Sequence, residues 1–310
     1  MMDVTDRHCR FFYRLLGADI FLFTEMLPSA AIVNGDSSKL LDFDKLEHPV
    51  GLQLGGNEPK VLNQATKIAS RFAYDEVNLN CGCPSSRVLA GNFGVALMRT
   101  PAVVADCIKA MKDGSDVRVS IKHRIGIDDN KDYEFVRDFV GKVRDAGCTL
   151  FYVHSRCAMS NLSPKKNRKI PSIDMLKVRL LKRDFPDCQF VANGELDSVA
   201  KCISILEKSE HLDLPGADGV MLGRAIWKFP ALLSELQKAF YPEKNIHSLR
   251  DVVESLERYY NLQKERGVDT RRVVRGWVNL FNRQKGAKKW RTMLAEGLKP
   301  MEAYQTILCS

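Results

Sequence analysis

The 310-residue sequence has no apolar run approaching the roughly 18–20 residues that a membrane-spanning helix needs, which excludes an integral membrane protein of that kind. No signal peptide opens it, because Asp3, Asp6, Arg7 and Arg10 interrupt any hydrophobic start, and no clean transit peptide is present either. The nine cysteines are scattered and odd in number. A chain this long does not need disulfides, so this usage points to a reducing compartment such as cytoplasm, plastid or mitochondrion. Cys81 and Cys83 form C-x-C rather than C-x-x-C, and no second cysteine pair or histidine pair stands at ligand spacing. No structural metal is therefore expected. There is no low-complexity tract, and at 45% hydrophobic residues the chain is not a disordered one.

What the sequence does carry is positive charge. The formal balance of +9 is, taken alone, as compatible with solubility as with an anionic partner. Its distribution says more. From Tyr241 to Ser310 there are 14 Lys/Arg against 8 Asp/Glu, so two thirds of the surplus lies in the last quarter of the chain. Such asymmetry suggests a basic module suited to a phosphate backbone.

Short β-rich runs recur through the first 225 residues: Phe21–Glu25, Val50–Leu54, Glu76–Leu79, Val117–Lys122, Leu150–His154, Gln189–Ala192 and Gly219–Leu222. Amphipathic segments such as Ala102–Met111, Tyr133–Ala146, Ile173–Asp184 and Ser198–Lys208 lie between them. This alternation predicts right-handed βαβ units and a parallel sheet. No Gly-rich turn follows the first strand, which disfavours an open doubly wound sheet and favours a (β/α)8 TIM barrel with one strand uncounted. After Pro230 only helical patterns remain, at Leu232–Phe240, Leu249–Lys264, Arg271–Phe281 and Ala287–Ala295. The chain thus divides into a barrel domain, residues 1–242, and an all-helical domain, residues 243–310.

In such a barrel the chemistry sits at the C-terminal ends of the strands. Those ends carry Gln53, then Asn78-Leu79-Asn80-Cys81-Gly82-Cys83-Pro84-Ser85, Lys122-His123-Arg124, His154-Ser155-Arg156, Asn193-Gly194 and Gly223-Arg224. Amides and cations with almost no carboxylate suit an anionic ligand bearing a hydrogen-bonding heterocycle. Each residue alone has a plainer reading. His154 reads as a satisfied core histidine, Lys122 as half of an ion pair, and Asn193-Gly194 as a turn. Gly223-Arg224 is a weak phosphate signal, and Cys83 reads as an inert thiol, with Cys81 competing on the same strand face. Their convergence on one rim is what favours a functional site.

These motifs resemble those of the tRNA-dihydrouridine synthase family. The likeness rests on Thr5-Asp6-Arg7-His8-Cys9-Arg10, on Tyr74-Asp75-Glu76 leading into Asn78 to Ser85, on Lys122 to Asp128, on Leu162 to Arg168, and on Gly286 to Arg291. It covers nearly the whole chain and points to the branch that modifies U20 and U20a of the D-loop. The resemblance implies an FMN-bearing barrel reduced by NADPH, and a helical domain that holds tRNA. Gln53 and Lys122 would bond the isoalloxazine edge, and His154 would help fix the cofactor. Asn193, Gly194, Gly223 and Arg224 would take its phosphate. Cys83 matches the family's catalytic cysteine, protonating uracil C5 while hydride reaches C6. Asn80 and Arg124 would read the flipped uracil, with Arg156 near the substrate backbone and Lys165, Arg168, Lys288 and Arg291 on tRNA. Trp277, Phe281 and Trp290 are expected in the helical core. A monomer is expected.

Two departures from the family stand out. Family members usually have Asn-Gly-Gly at the phosphate, whereas Gly194 is followed here by Glu195, whose carboxylate would repel that group unless turned away. Family members also begin with a strand ending in Ala-Pro-Met against the flavin, and this sequence starts at the equivalent of that Met, Met1. Strand one is thus expected to be missing, as in a truncated gene model or short isoform. Two alternatives follow: a tRNA-binding homologue that has lost flavin and catalysis, and, more weakly, another FMN barrel enzyme such as a dihydroorotate dehydrogenase.

Overall fold

The structure, a computed structural model, describes residues 1–244 and 246–309. Seven strands form one sheet in chain order: β1 (Leu22–Pro28), β2 (Val50–Gly55), β3 (Glu76–Cys81), β4 (Arg118–Arg124), β5 (Leu150–His154), β6 (Gln189–Asn193) and β7 (Gly219–Met221). Every pairing from β2 to β7 is parallel. Helices Pro59–Ala69, Pro101–Gly114, Tyr133–Asp145, Leu176–Asp184 and Val199–Leu206 supply the crossovers. Sequential parallel strands with helical crossovers are the arrangement of a (β/α)8 barrel.

By internal contacts the chain forms two units. The sheet unit comprises residues 26–42 and 50–222; the helical unit comprises residues 1–25, 43–49 and 223–310. This grouping differs from a division at residue 242, because the helical unit also draws in two segments from the amino-terminal part of the chain.

Those segments explain the difference. Asp6 caps the helix Arg7–Leu16 by accepting from the Cys9 amide at 3.0 Å. On that helix Arg10 forms a buried 2.5 Å ion pair with Glu47, which desolvation pushes toward a higher pKa and the Arg10 charge pulls back. Arg14 donates to the carbonyls of Gly17, Ala18, Ile20, Glu47 and Pro49, tying residues 43–49 to the helix. On the carboxyl-terminal side, Ser248 and Asp251 form a capping box for the long helix Leu249–Glu265. Tyr259 stacks on Phe11 at 3.9 Å between ring centroids and lies 2.8 Å from His8 Nδ1. Trp277 Nε1 donates to the His8 carbonyl and Trp290 Nε1 to the Trp277 carbonyl, so Trp277, Phe281 and Trp290 are core residues, as expected.

The helix expected over Arg271–Phe281 is present only from Thr270 to Val274. Beyond it the amides of Trp277, Leu280, Asn282 and Gln284 each bond the carbonyl three residues back, so the chain winds in successive tight turns. That geometry seats both indoles in the core, where each N–H has a carbonyl to meet. A final helix, Pro300–Leu308, was not anticipated.

Candidate active site

Parallel strands buried on both faces normally read as continuous apolar runs. In the sheet unit one face does: Leu52, Leu54, Val77, Leu79, Ile121, Phe151, Val153 and Phe190 are buried. The other face is polar at nearly every position. Register sets Gln53 beside Asn78, Asn78 beside Ser120, Asn80 beside Lys122, Arg124 beside His154, and His154 beside Asn193. The alternation of strand side chains therefore gathers Gln53, Asn80, Lys122, Arg124, His154 and Asn193 on a single face, toward the carboxyl ends of their strands.

Cys83 follows β3 and is half-buried. Asn80 positions it: its Oδ1 accepts from the Gly82 amide at 3.0 Å and the Cys83 amide at 2.9 Å, while its Nδ2 donates to Gln53 Oε1 at 2.8 Å. The Cys83 carbonyl accepts from the Val95 amide at 3.1 Å, and the thiol donates to Ser85 Oγ at 3.5 Å. Gly94, at φ +63°, permits this packing. A Cβ there would lie 2.3 Å from Val88 Cγ1 and 2.7 Å from the Cys83 oxygen. Cys81 has the opposite environment. It lies on the apolar face with no exposure, and burial drives its thiol well above the ordinary range, with Cys107 and Cys148 adding to the effect.

Lys122 reaches Asn193 Oδ1 at 3.2 Å and pairs with no carboxylate among the described residues. Burial and the neighbouring Arg124 guanidinium lower its ammonium to about 8, and Cys83 opposes the shift. Asn193 donates through Nδ2 to the Met221 carbonyl at 2.7 Å, and its own carbonyl accepts from the amide and hydroxyl of Ser155. Gly194, at φ +142°, is closely packed on the side where a Cβ would stand. A Cβ there would lie 2.5 Å from Ser155 Oγ and 2.8 Å from Ile173 Cδ1.

The cations divide by environment. Arg124 is buried and donates to the carbonyls of Gly82, at 2.9 Å, and Cys157, at 3.3 Å, so it ties the loops after β3 and β5 together. Arg156, expected beside the substrate backbone, is 1% exposed, and its guanidinium is bound by the Glu195 carboxylate and the Pro171 carbonyl. The Glu195 side chain is thus drawn to Arg156, at a backbone φ of +51° that favours the glycine usual in the family. Lys165 and Arg168, in the loop after β5, are exposed.

In the helical unit the Met1 ammonium donates to Thr5 Oγ1 at 2.7 Å, and Met1 Sδ lies 3.1 Å from where a Cβ on Gly223 would be. Gly223 precedes the short helix Arg224–Lys228. Lys288 is exposed and Arg291 half-buried on the helix Ala287–Ala295.

Sequence reasoning about the site passed over a second layer of polar residues beneath the first. Gln53 Nε2 donates to Asn78 Oδ1 at 2.9 Å, Asn78 Nδ2 to Ser120 Oγ at 2.7 Å, and Ser120 to the buried Glu76 carboxylate. Tyr152 donates to the other Glu76 oxygen at 3.1 Å. Desolvation raises the Glu76 carboxyl pKa, and those two donors oppose the rise. The missed signal was the polar residue at every second position of Glu76-Asn78-Asn80 and Ser120-Lys122-Arg124.

The chain is similar to known proteins over nearly its whole length. The sequence profile of the dihydrouridine synthase family matches residues 1–309. The chain is 43% identical over 297 residues to the tRNA-dihydrouridine(20/20a) synthase of Pseudomonas putida, covering 95% of this chain and 86% of that protein. The protein of the same name from Vibrio vulnificus is 42% identical over 299 residues, covering 96% and 89%. That from Xanthomonas campestris is 41% identical over 300 residues, covering 96% and 86%.

Proposed function

This chain belongs to the dihydrouridine synthase family, a family of oxidoreductases, and from that premise we propose that it reduces the C5–C6 bond of D-loop uridine at positions 20 and 20a of tRNA. In this reading FMN is the resident cofactor and NADPH the source of reducing equivalents. The observation that carries the proposal is the placement of a half-buried thiol, Cys83, on the same rim as Gln53, Lys122 and Asn193.

The residues present fit a flavin. Lys122 is a cation set deep in the sheet unit with an amide oxygen but no carboxylate as partner, so an electron-rich heterocycle edge would complete its surroundings. At Gly194, the expected phosphate position, the backbone has no side chain, and a Cβ there would clash with Ser155 and Ile173. Gln53 and Lys122 would bond the heterocycle, with His154 and Asn193 beside it. When bound and reduced, FMN supplies the hydride for uracil C6.

The chain's own part is positioning and proton supply. Cys83 Sγ gives its proton to uracil C5, and Ser85 Oγ, 3.5 Å away, is placed to donate to the thiolate left behind. Cys81 is unsuited to this role because its thiol is buried on the opposite face. Asn80 holds the Cys83 loop, and Arg124 braces that loop from β4. Lys165 and Arg168 of the sheet unit, and Lys288 and Arg291 of the helical unit, are the proposed tRNA contacts.

The purified chain should be yellow and should form dihydrouridine at positions 20 and 20a of unmodified tRNA when given NADPH. Cys83→Ala should abolish the product while keeping the flavin spectrum; retained product formation would refute the assignment of Cys83. A colourless protein that binds tRNA would instead support an inactive homologue.

A further inference from the structure

The hydrogen bonds beneath the rim form one continuous, unidirectional chain. The backbone amides of Gly82 and Cys83 can only donate, so the amide of Asn80 must turn its oxygen toward them. Asn80 Nδ2 then faces Gln53 Oε1, Gln53 Nε2 faces Asn78 Oδ1, and Asn78 Nδ2 faces Ser120 Oγ. The hydroxyl of Ser120 completes the sequence by donating to Glu76. Glu76 accepts from a hydroxyl on each of its oxygens, so the two ends impose the same direction on every amide between them. Tyr152 occupies the second Glu76 oxygen and holds the carboxylate in place. Glu76 is 1% exposed, and no Lys or Arg forms an ion pair with it among the described residues. A carboxyl group in such a position, hydrogen-bonded only by two hydroxyls and with Arg118 as a further attractive charge but no ion-pair partner among the described residues, needs an explanation beyond stability, because burying a carboxylate without an ion pair is costly.

We propose that Glu76 is a positioning residue: as terminal acceptor of this chain it fixes the amide orientation of Gln53 and Asn80 and, through Asn80, the placement of the Cys83 loop. It touches neither substrate nor cofactor. Its action passes through Ser120, Asn78, Gln53 and Asn80, each of which has one donor and one acceptor committed to the chain. Aligned hydrogen bonds in a low-dielectric interior polarise one another, so the arrangement resists reorientation as a unit. Gln53 is consequently held with its amide in a defined orientation at the rim. The consequence for catalysis rests on the assignment of Cys83 as proton donor.

The test uses the full chain carrying Cys309→Ser, which leaves Cys83 as the one cysteine not buried among the described residues. Glu76→Gln, Glu76→Leu and Ser120→Ala are introduced separately. Two quantities are measured: the rate of Cys83 alkylation by iodoacetamide, followed by mass spectrometry, and the single-turnover rate of dihydrouridine formation together with KM for tRNA. Ser120→Ala and Glu76→Leu should raise the alkylation rate severalfold and lower the single-turnover rate about tenfold, as small misplacement of a reacting group does, with KM for tRNA unchanged. Glu76→Gln should restore both rates most of the way, because its amide oxygen still accepts from Ser120. A folded Ser120→Ala chain with parental alkylation and turnover rates would overturn the proposal, as would equal losses in Glu76→Gln and Glu76→Leu. Should the parental chain form no dihydrouridine, the reading of the reaction fails, and alkylation alone decides whether Glu76 governs the Cys83 loop.

Discussion

Acid should weaken this protein through His123, and the size of the effect follows from where the ring lies. His123 is on the apolar face of β4, without exposure, beside Phe139 and Phe151 at 5.3 and 5.9 Å between centroids. Its Nδ1–H donates to the Arg124 carbonyl at 2.7 Å, while Nε2 has no partner among the described residues. Burial first, and the Lys122 charge second, lower its pKa to about 4, against 6.5 when unfolded. Between those values the unfolded chain holds a proton that the folded chain does not, so stability falls as pH falls from 6.5 toward 4. At ~1.36 kcal/mol per pH unit the loss is about 2 kcal/mol by pH 5 and about 3 kcal/mol in the limit. His123→Leu removes the titration and, at neutral pH, costs about 1–2 kcal/mol for the lost hydrogen bond and altered packing. Urea unfolding of both chains from pH 4.5 to 7.5 should therefore show a difference that shrinks on acidification, with the curves meeting near pH 5. His8, whose pKa burial also lowers, contributes equally to both chains and drops out of the comparison. Parallel curves would refute the reasoning.

Other expectations follow from the rim and the basic surface. Glu195→Gly relieves about 1 kcal/mol of backbone strain but strips the buried Arg156 of its carboxylate, a loss that the half-exposed setting of Glu195 reduces to about 2 kcal/mol. The net effect should be a fall in melting temperature of about 2 °C, recovered when Arg156→Met is added; an unchanged melting temperature would show that the pair contributes nothing. Gly94→Ala puts a methyl group against Val88 and the Cys83 carbonyl at positive φ, and should cost about 2 kcal/mol in a thermal melt. Its single-turnover rate should fall at temperatures where the chain is still fully folded, because the clash displaces Cys83. Lys288→Ala with Arg291→Ala should weaken tRNA binding and reduce the slope of log affinity against log salt by about one per cation lost. An unaltered slope in filter binding would remove these two residues from the interface.

Most strand limits were legible because β-branched and apolar runs end at polar residues. Leu150–His154 matches its expected span, β3 extends further to Cys81, and β4 runs from Arg118 to Arg124 rather than from Val117 to Lys122. The gathering of Gln53, Asn80, Lys122, Arg124, His154 and Asn193 was also legible, since parallel strands of a barrel present their carboxyl ends to one rim. What each residue does there was not. Asn80, expected to read the flipped uracil, also braces two loop amides through its oxygen. Arg156, expected near the substrate backbone, is buried against Glu195, 39 residues away in sequence. The Arg271–Phe281 helix ends at Val274, and the tight turns that follow place the Trp277 indole against the His8 carbonyl and the Trp277 carbonyl against the Trp290 indole.

The sequence by itself determined the strand–helix alternation, the placement of the rim residues and the basic carboxyl-terminal quarter, because these follow from local periodicity and composition. The tertiary structure alone decided that Cys83 is accessible and Cys81 is not, that residues 1–25 and 43–49 group with the helical unit, and that a carboxylate at Glu76 anchors a line of amides ending at Cys83. The physical reason is the same in each case. Burial and hydrogen-bond direction depend on which distant segments meet, and the local alternation along a strand marks a polar face without saying which partners it meets.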